Sequence, residues 1–186
     1  HESIKDEFVT RLIEERLKTV KEGDLMDLET DFGVLISEAA AKEVEQQVRH
    51  TIGQGAKLVY GGIRRGAYYM PTVLDNCTKD MDICKNMEIF GPVFPIFTFQ
   101  TLDEAIEIAE TSDYGLSSGV ITNDFQDAMK VAASLRTGMV AVNGSGGFRA
   151  QELPFGGGKK MSGNSRECMS SVLELSLIHI SEPTRL

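Results

Sequence analysis

From Leu58 to Val142, short apolar runs alternate with stretches of helical periodicity, and this alternation narrows the fold more than any other feature. Lys57-Leu58-Val59-Tyr60 reads as a strand stopped by Gly61-Gly62, and Thr72-Val73-Leu74 reads as a second. Residues 93–99 are dense in apolar and aromatic side chains without polar alternation. That is the pattern of a strand buried on both faces, with Pro95 early in it. Thr101 and Glu104 make a capping box for a helix to about Glu110. Residues 118–121 form a strand, Asp124 starts a helix to about Arg136, and Met139-Val140-Ala141-Val142 is another buried strand. Repeated alternation of this kind builds right-handed βαβ units. The expected fold is therefore α/β, with a mostly parallel sheet and flanking helices.

Two further helices precede that region. Ile4, Phe8, Leu12, Ile13, Leu17 and Val20 recur at helical spacing and predict a helix over residues 3–22, stopped by Gly23. A polar, turn-rich connection follows. Ser37 then caps a helix to about Thr51, with Ala40, Val44 and Val48 on its apolar face.

With 186 residues the chain is long enough for one compact domain with its own core. Its formal net charge of -9 repels phosphate surfaces, so neither nucleic acid nor an anionic membrane is expected as a partner. No apolar stretch approaches the ~20 residues that span a bilayer. The opening His1-Glu2-Ser3 is polar and acidic, unlike a signal peptide. Cys77, Cys84 and Cys168 form no C-x-x-C pair and read as reduced, mostly buried thiols of a cytoplasmic protein. The scattered His1, His50 and His179 show no H-E-x-x-H spacing, so no metal site is expected.

No phosphate-cradling glycine motif is complete. The glycines around Gly61, Gly144 and Gly156 break the G-x-G-x-x-G spacing, and Gly158-Lys159 lacks both the first glycine and the final hydroxyl of a P-loop. The loop Gly144-Ser145-Gly146-Gly147 follows a strand, where open α/β sheets place their sites. Glu88 stands just before a strand, beside Phe90 and Gly91. A carboxylate there can accept hydrogen bonds from two vicinal hydroxyls, as on a ribose, and the aromatic can pack on a flat ring. The same residues also suit a plain loop carboxylate and a core phenylalanine.

Two segments carry a family resemblance: Met87-Glu88-Ile89-Phe90-Gly91-Pro92-Val93, and Pro154-Phe155-Gly156-Gly157 after Gly138-Met139-Val140-Ala141-Val142-Asn143. Both resemble signature stretches of the NAD(P)-dependent aldehyde dehydrogenase superfamily. Asp113-Tyr114-Gly115-Leu116-Ser117 is similar to its Tyr-Gly-Leu-Ser turn, and Gly33-Val34-Leu35-Ile36 to its Gly-Pro-Leu-Ile. The resemblance spans residues 1–175 and implies part of the family's catalytic domain, incomplete at its front. By it, Glu88 and Phe90 contact the nicotinamide ribose and ring of NAD or NADP. Phe155 and Phe148 line the aldehyde tunnel. Arg149 on the same loop suits either pairing with the distal carboxylate of a semialdehyde or a solvated surface position, and a semialdehyde or hydroxyaldehyde is the expected substrate.

The resemblance also implies the chemistry of a parent enzyme. A cysteine thiolate attacks the aldehyde, hydride passes to the nicotinamide, and a glutamate general base directs water onto the thioester. No catalytic residue is assigned in this chain, because the family's cysteine and base fall upstream of His1 when counted back from Glu88. A homo-oligomeric parent acting on a small-molecule aldehyde is implied. Two other readings stay open: a non-catalytic α/β binding or assembly module, and a fragment of an acylating, coenzyme-A-dependent relative.

Several positions depart from the family pattern. Leu25 and Val34 replace prolines, one residue is extra within Gly158-Lys159-Lys160-Met161-Ser162-Gly163, and Ser165 replaces a glycine before Arg166-Glu167. Residues 176–186 do not resemble the family and are expected to be a non-native tail.

Overall fold

The computed structural model describes residues 1–147, 153–169, 171 and 173. The chain divides into two compact units, His1–Ile108 and Ala109–Leu186.

The first unit is built around the strand β4, Thr72–Cys77. β1 (Lys57–Tyr60) pairs with it antiparallel, and β5 (Val93–Phe97) pairs with it parallel on the other side. Between β1 and β4 the chain makes a small hairpin of β2 (Arg64–Arg65) and β3 (Tyr68–Tyr69). A short helix α3, Asp82–Lys85, links β4 to β5.

β4 is covered on both faces. Val73 packs with Val9 and Leu17 of the N-terminal helical segment, while Leu74 and Cys77 pack with Val44 and Val48 of α2, Glu38–Gly53. Successive residues of a strand point to opposite faces, so Val73 and Leu74, both fully buried, serve the two layers in turn. Each such burial is worth roughly 1.5–3 kcal/mol. The ladder slips between Leu74 and Cys77, where Asn76 takes a left-handed φ of 56°. This bulge turns Cys77 back to the face that Leu74 uses.

The N-terminal helix is shorter than its periodicity predicts. α1 spans Lys5–Arg11 and widens into a π-type turn over Leu12–Leu17, where the Thr19 hydroxyl donates to the Arg16 carbonyl at 2.8 Å. Competition from that side chain ends the helix before Gly23. The Gly23 N–H instead bonds the Phe32 carbonyl, closing a loop built on Asp24 and Asp27 turns. The hairpin holds this loop: Arg65 bonds Glu22 at 2.5 Å and lies 4.8 Å over the Tyr68 ring. Burial, and then Glu22, push the Tyr68 hydroxyl up to about 12.

The caps fall where the sequence places them, with one shift. The Ser37 hydroxyl accepts from the Ala40 N–H at 3.1 Å. Thr101 accepts from the Glu104 N–H, but the Glu104 carboxylate reaches back to the Gln100 N–H, one residue earlier than in a regular capping box. The helix they start, α4, is Leu102–Thr111.

β5 is shorter and less buried than the apolar run implies. Phe94 is 38% exposed, because among the described residues β5 pairs on one side only. That edge position accommodates Pro95, which has no N–H to donate.

The second unit holds a compact βαβ unit. β6 (Ser117–Val120) and β7 (Met139–Val142) pair parallel in register across α5 (Phe125–Ser134). The Asp124 carboxylate caps α5 by accepting from the Asp127 N–H at 2.9 Å. β7 is half-buried rather than fully covered, with Val142 48% exposed. No helix among the described residues is long and apolar enough to cross a membrane.

Candidate functional site

Glu88 and Phe90 sit on the connection from α3 to β5. The Asp82 carbonyl accepts from the N–H groups of Asn86 and Met87 and closes α3, and the chain then runs out to Gly91. Along that run exposure alternates. Met87 and Ile89 are half-buried, with Ile89 packed on the main core, while Glu88 and Phe90 are exposed. Phe90 is 77% exposed, so it is not a core phenylalanine of this unit. Among the described residues the Glu88 carboxylate makes no hydrogen bond or ion pair, while its backbone carbonyl is held by the Gln47 side chain at 3.2 Å.

Gly91 is required by packing. A Cβ there would stand 2.8 Å from Val44 of α2, so a side chain would push the segment off the helix. A carboxylate with no partner among the described residues and an open aromatic face, joined by a half-buried isoleucine, have the acceptor and stacking character that a ribose and a flat ring require.

Phe155 belongs to the second unit. It is half-buried, and its backbone exchanges two hydrogen bonds with Glu167, at 2.8 and 2.5 Å. Around it the chain is packed backbone to backbone. A Cβ on Gly138 would strike the Gly156 carbonyl, one on Gly156 the Ser165 carbonyl, and one on Gly157 the Ser162 carbonyl. The Gly115 carbonyl accepts from both Gly138 and Gly158, at 3.0 and 2.8 Å. The extra residue after Lys159 is taken up by a tight turn over Lys160–Ser162, which leaves the Ser162 hydroxyl free to accept from the Gly115 N–H at 3.0 Å. At the end of β7, Asn143 adopts φ 53° and accepts from the Thr122 N–H, tying β7 to the chain after β6. Phe148 and Arg149 lie outside the described residues, as do residues 176–186.

Sequence reasoning missed a charged cluster in the second unit. The Lys159 side chain is 7% exposed; its ammonium lies 3.2 Å from Glu110 Oε1 and donates to the Ser112 carbonyl at 3.0 Å. Arg136 reaches the same carboxylate with its backbone N–H at 2.8 Å and its guanidinium Nε at 2.7 Å. Burial pushes the Glu110 carboxyl up, but Arg136 and then Lys159 outweigh it and hold it below the usual range. These residues line a cleft of about 260 Å³ whose cationic groups are already engaged.

Burial makes Cys77 and Cys84 poor nucleophiles. Burial pushes Cys77 up to about 11 and raises Cys84 as well. Cys168 is half-buried and within 3.2 Å of the Ser171 hydroxyl. Among the described residues no group of three His, Cys, Asp or Glu side chains converges as metal ligands would.

Comparison with known proteins defines the family and the fold. The profile of the aldehyde dehydrogenase family matches residues 1–177. A 3-sulfolactaldehyde dehydrogenase of Priestia megaterium is 42% identical over 167 residues, which are 90% of this chain and 34% of that protein. Among solved structures, aldehyde dehydrogenase 21 from Physcomitrella patens, in complex with the reaction product succinate, superposes with a TM-score of 0.87. It is 32% identical, over 94% of this chain and 36% of that one. A glyceraldehyde-3-phosphate dehydrogenase from Methanocaldococcus jannaschii, complexed with NADP, gives 0.86 at 39% identity, over 93% and 37%. The chain belongs to the aldehyde dehydrogenase family. It spans about a third of the length of the relatives it matches.

Proposed function

We propose that this chain is the nicotinamide-facing and substrate-facing part of an aldehyde dehydrogenase that oxidises a small aldehyde to a carboxylic acid with NAD or NADP. The observation that carries this reading is the Glu88 carboxylate, unpaired among the described residues, beside the open Phe90 ring, on a segment fixed at Ile89 and Gly91. Glu88 holds the two ribose hydroxyls, and Phe90 packs against the ring and limits its rotation. The bound nicotinamide supplies the hydride acceptor. The thiolate nucleophile and the general base come from the remainder of the parent enzyme: Cys77, Cys84 and Cys168 do not stand in the family's nucleophile context, and burial raises the first two.

Phe155, and with it Phe148, lines the aldehyde channel, and Arg149 pairs with an acidic group at the far end of the substrate. The relatives support a substrate of that kind: one is named for a sulfonated lactaldehyde and another was solved with succinate. We take the parent to be cytoplasmic and homo-oligomeric.

The test is Glu88→Ala in the full-length parent. The expected result is a fall in kcat of about 100-fold, because a loosely held ring is seldom in the geometry for hydride transfer, with a rise in the KM for NAD(P)⁺ and little change in that for aldehyde. An unchanged kcat would remove Glu88 from the site.

A further inference from the structure

Helix α2 carries Gln47, His50 and Thr51, and its C-cap residue is Gln54; at positions i, i+3, i+4 and i+7 they form a single stripe. Every member of the stripe engages the segment that ends in Glu88 and Phe90. Gln54 grips Asp82 twice: its Oε1 accepts from the Asp82 N–H at 3.0 Å, and its Nε2 donates to the carboxylate at 2.9 Å. His50 Nε2 lies 2.7 Å from the same carboxylate. Thr51 contacts the Met87 sulfur at 3.9 Å, and Gln47 Nε2 donates to the Glu88 carbonyl at 3.2 Å. One turn earlier on the helix, Val44 packs against Gly91.

The stripe therefore tracks the segment from its start at Asp82 to its end at Gly91. We infer that Gln47 is a positioning residue for the nicotinamide-ribose contact, acting through the Glu88 backbone, with the rest of the stripe fixing the segment on which that contact rides. The inference rests on the reading that Glu88 holds the ribose. The Glu88 carbonyl lies in one rigid plane with the α-carbons of Glu88 and Ile89, so pinning it to α2 restrains the α-carbon from which the Glu88 side chain leaves the backbone. Gln47 is the described side chain that bonds Glu88 itself; the other polar members of the stripe bond residues before it.

Two variants separate positioning from simple stability. Gln47→Met keeps length and removes the donor; Gln47→Lys supplies a donor again. In the 186-residue chain, Gln47→Met should speed amide exchange at Asn86 and Met87 by about fivefold, the factor one lost hydrogen bond gives, while amides of α5 stay unchanged. In the full-length parent the same variant should raise the KM for NAD(P)⁺ by about five- to tenfold with the aldehyde KM unchanged, and Gln47→Lys should restore it. Unchanged exchange at Asn86 and Met87 overturns the positioning role whatever the enzyme does. Faster exchange with both KM values moving together, or neither, overturns the link to the cofactor. A wild-type parent that oxidises no aldehyde refutes the proposed function, and the exchange result then still decides whether Gln47 fixes the segment.

Discussion

Replacing Glu110 with alanine is expected to destabilise the Ala109–Leu186 unit by about 3 kcal/mol, because it strands the nearly buried Lys159 ammonium without its counter-charge. Glu110→Gln, which keeps the shape and one acceptor oxygen, should cost less. The pH dependence distinguishes the charge from the packing. Arg136 and Lys159 hold the Glu110 carboxyl below its ordinary value against the opposing effect of burial. A carboxyl whose folded value is depressed gives stability that is complete above its unfolded value, near ~4.3, and lost as the pH falls through its folded value. Urea unfolding of the wild type should therefore show stability of the second unit flat above about pH 5 and declining below about pH 4. In Glu110→Gln the contribution of this group to that decline is gone. An identical acid limb in the two proteins would show that the cluster is held by packing alone.

The second large effect concerns the glycine scaffold under Phe155. Gly138→Ala places a methyl group on the Gly156 carbonyl and within 3.0 Å of the Leu116 carbonyl. Backbone cannot give way as a side-chain tip does, so the loss should reach about 3 kcal/mol, the upper end of ordinary overpacking. The strand end and the Gly156 backbone must also part, which moves Phe155. Gly144→Ala is the internal control: its nearest neighbour is 3.8 Å away, and its φ is outside the left-handed region. It should change stability by less than about 0.5 kcal/mol. Thermal unfolding of both variants beside the wild type checks this, and equal melting temperatures would refute the close approach of the two backbones.

The parts of the fold that were legible in the sequence are those set by local chemistry. Ser37 and Asp124 are caps in the sequence and in the structure, because a short side-chain oxygen before an amphipathic run has few other uses. The βαβ unit from Ser117 to Val142 follows from the same periodicity. What was not legible depends on partners far along the chain. Lys159 and Lys160 are adjacent and chemically alike in the sequence. Only the fold shows that Lys159 is the one anchored at the end of α4, with a carbonyl acceptor 47 residues away in Ser112. The antiparallel pairing of β1 and the half-exposed face of β5 are likewise decided by which strands lie beside them, not by their own residues.

The candidate site was legible for a different reason. The exposure of Glu88 and Phe90 cannot be read from composition, since a loop carboxylate beside a core phenylalanine gives the same letters. The family motif chose between the two readings, and in the structure both residues are exposed on either side of a half-buried Ile89. The α2 stripe escaped notice because glutamine, histidine and threonine on a helix look like an ordinary solvated face until their partners are known.

The central claim is that these residues hold the nicotinamide and substrate end of a reaction whose nucleophile lies elsewhere in a longer enzyme. The most direct measurement is NAD(P)H formation from propanal by the purified 186-residue chain, beside the full-length parent at equal concentration. The account predicts turnover by the parent and none by the chain. Sustained NAD(P)H formation by the chain alone would contradict it, because the reaction would then need no nucleophile from outside these residues.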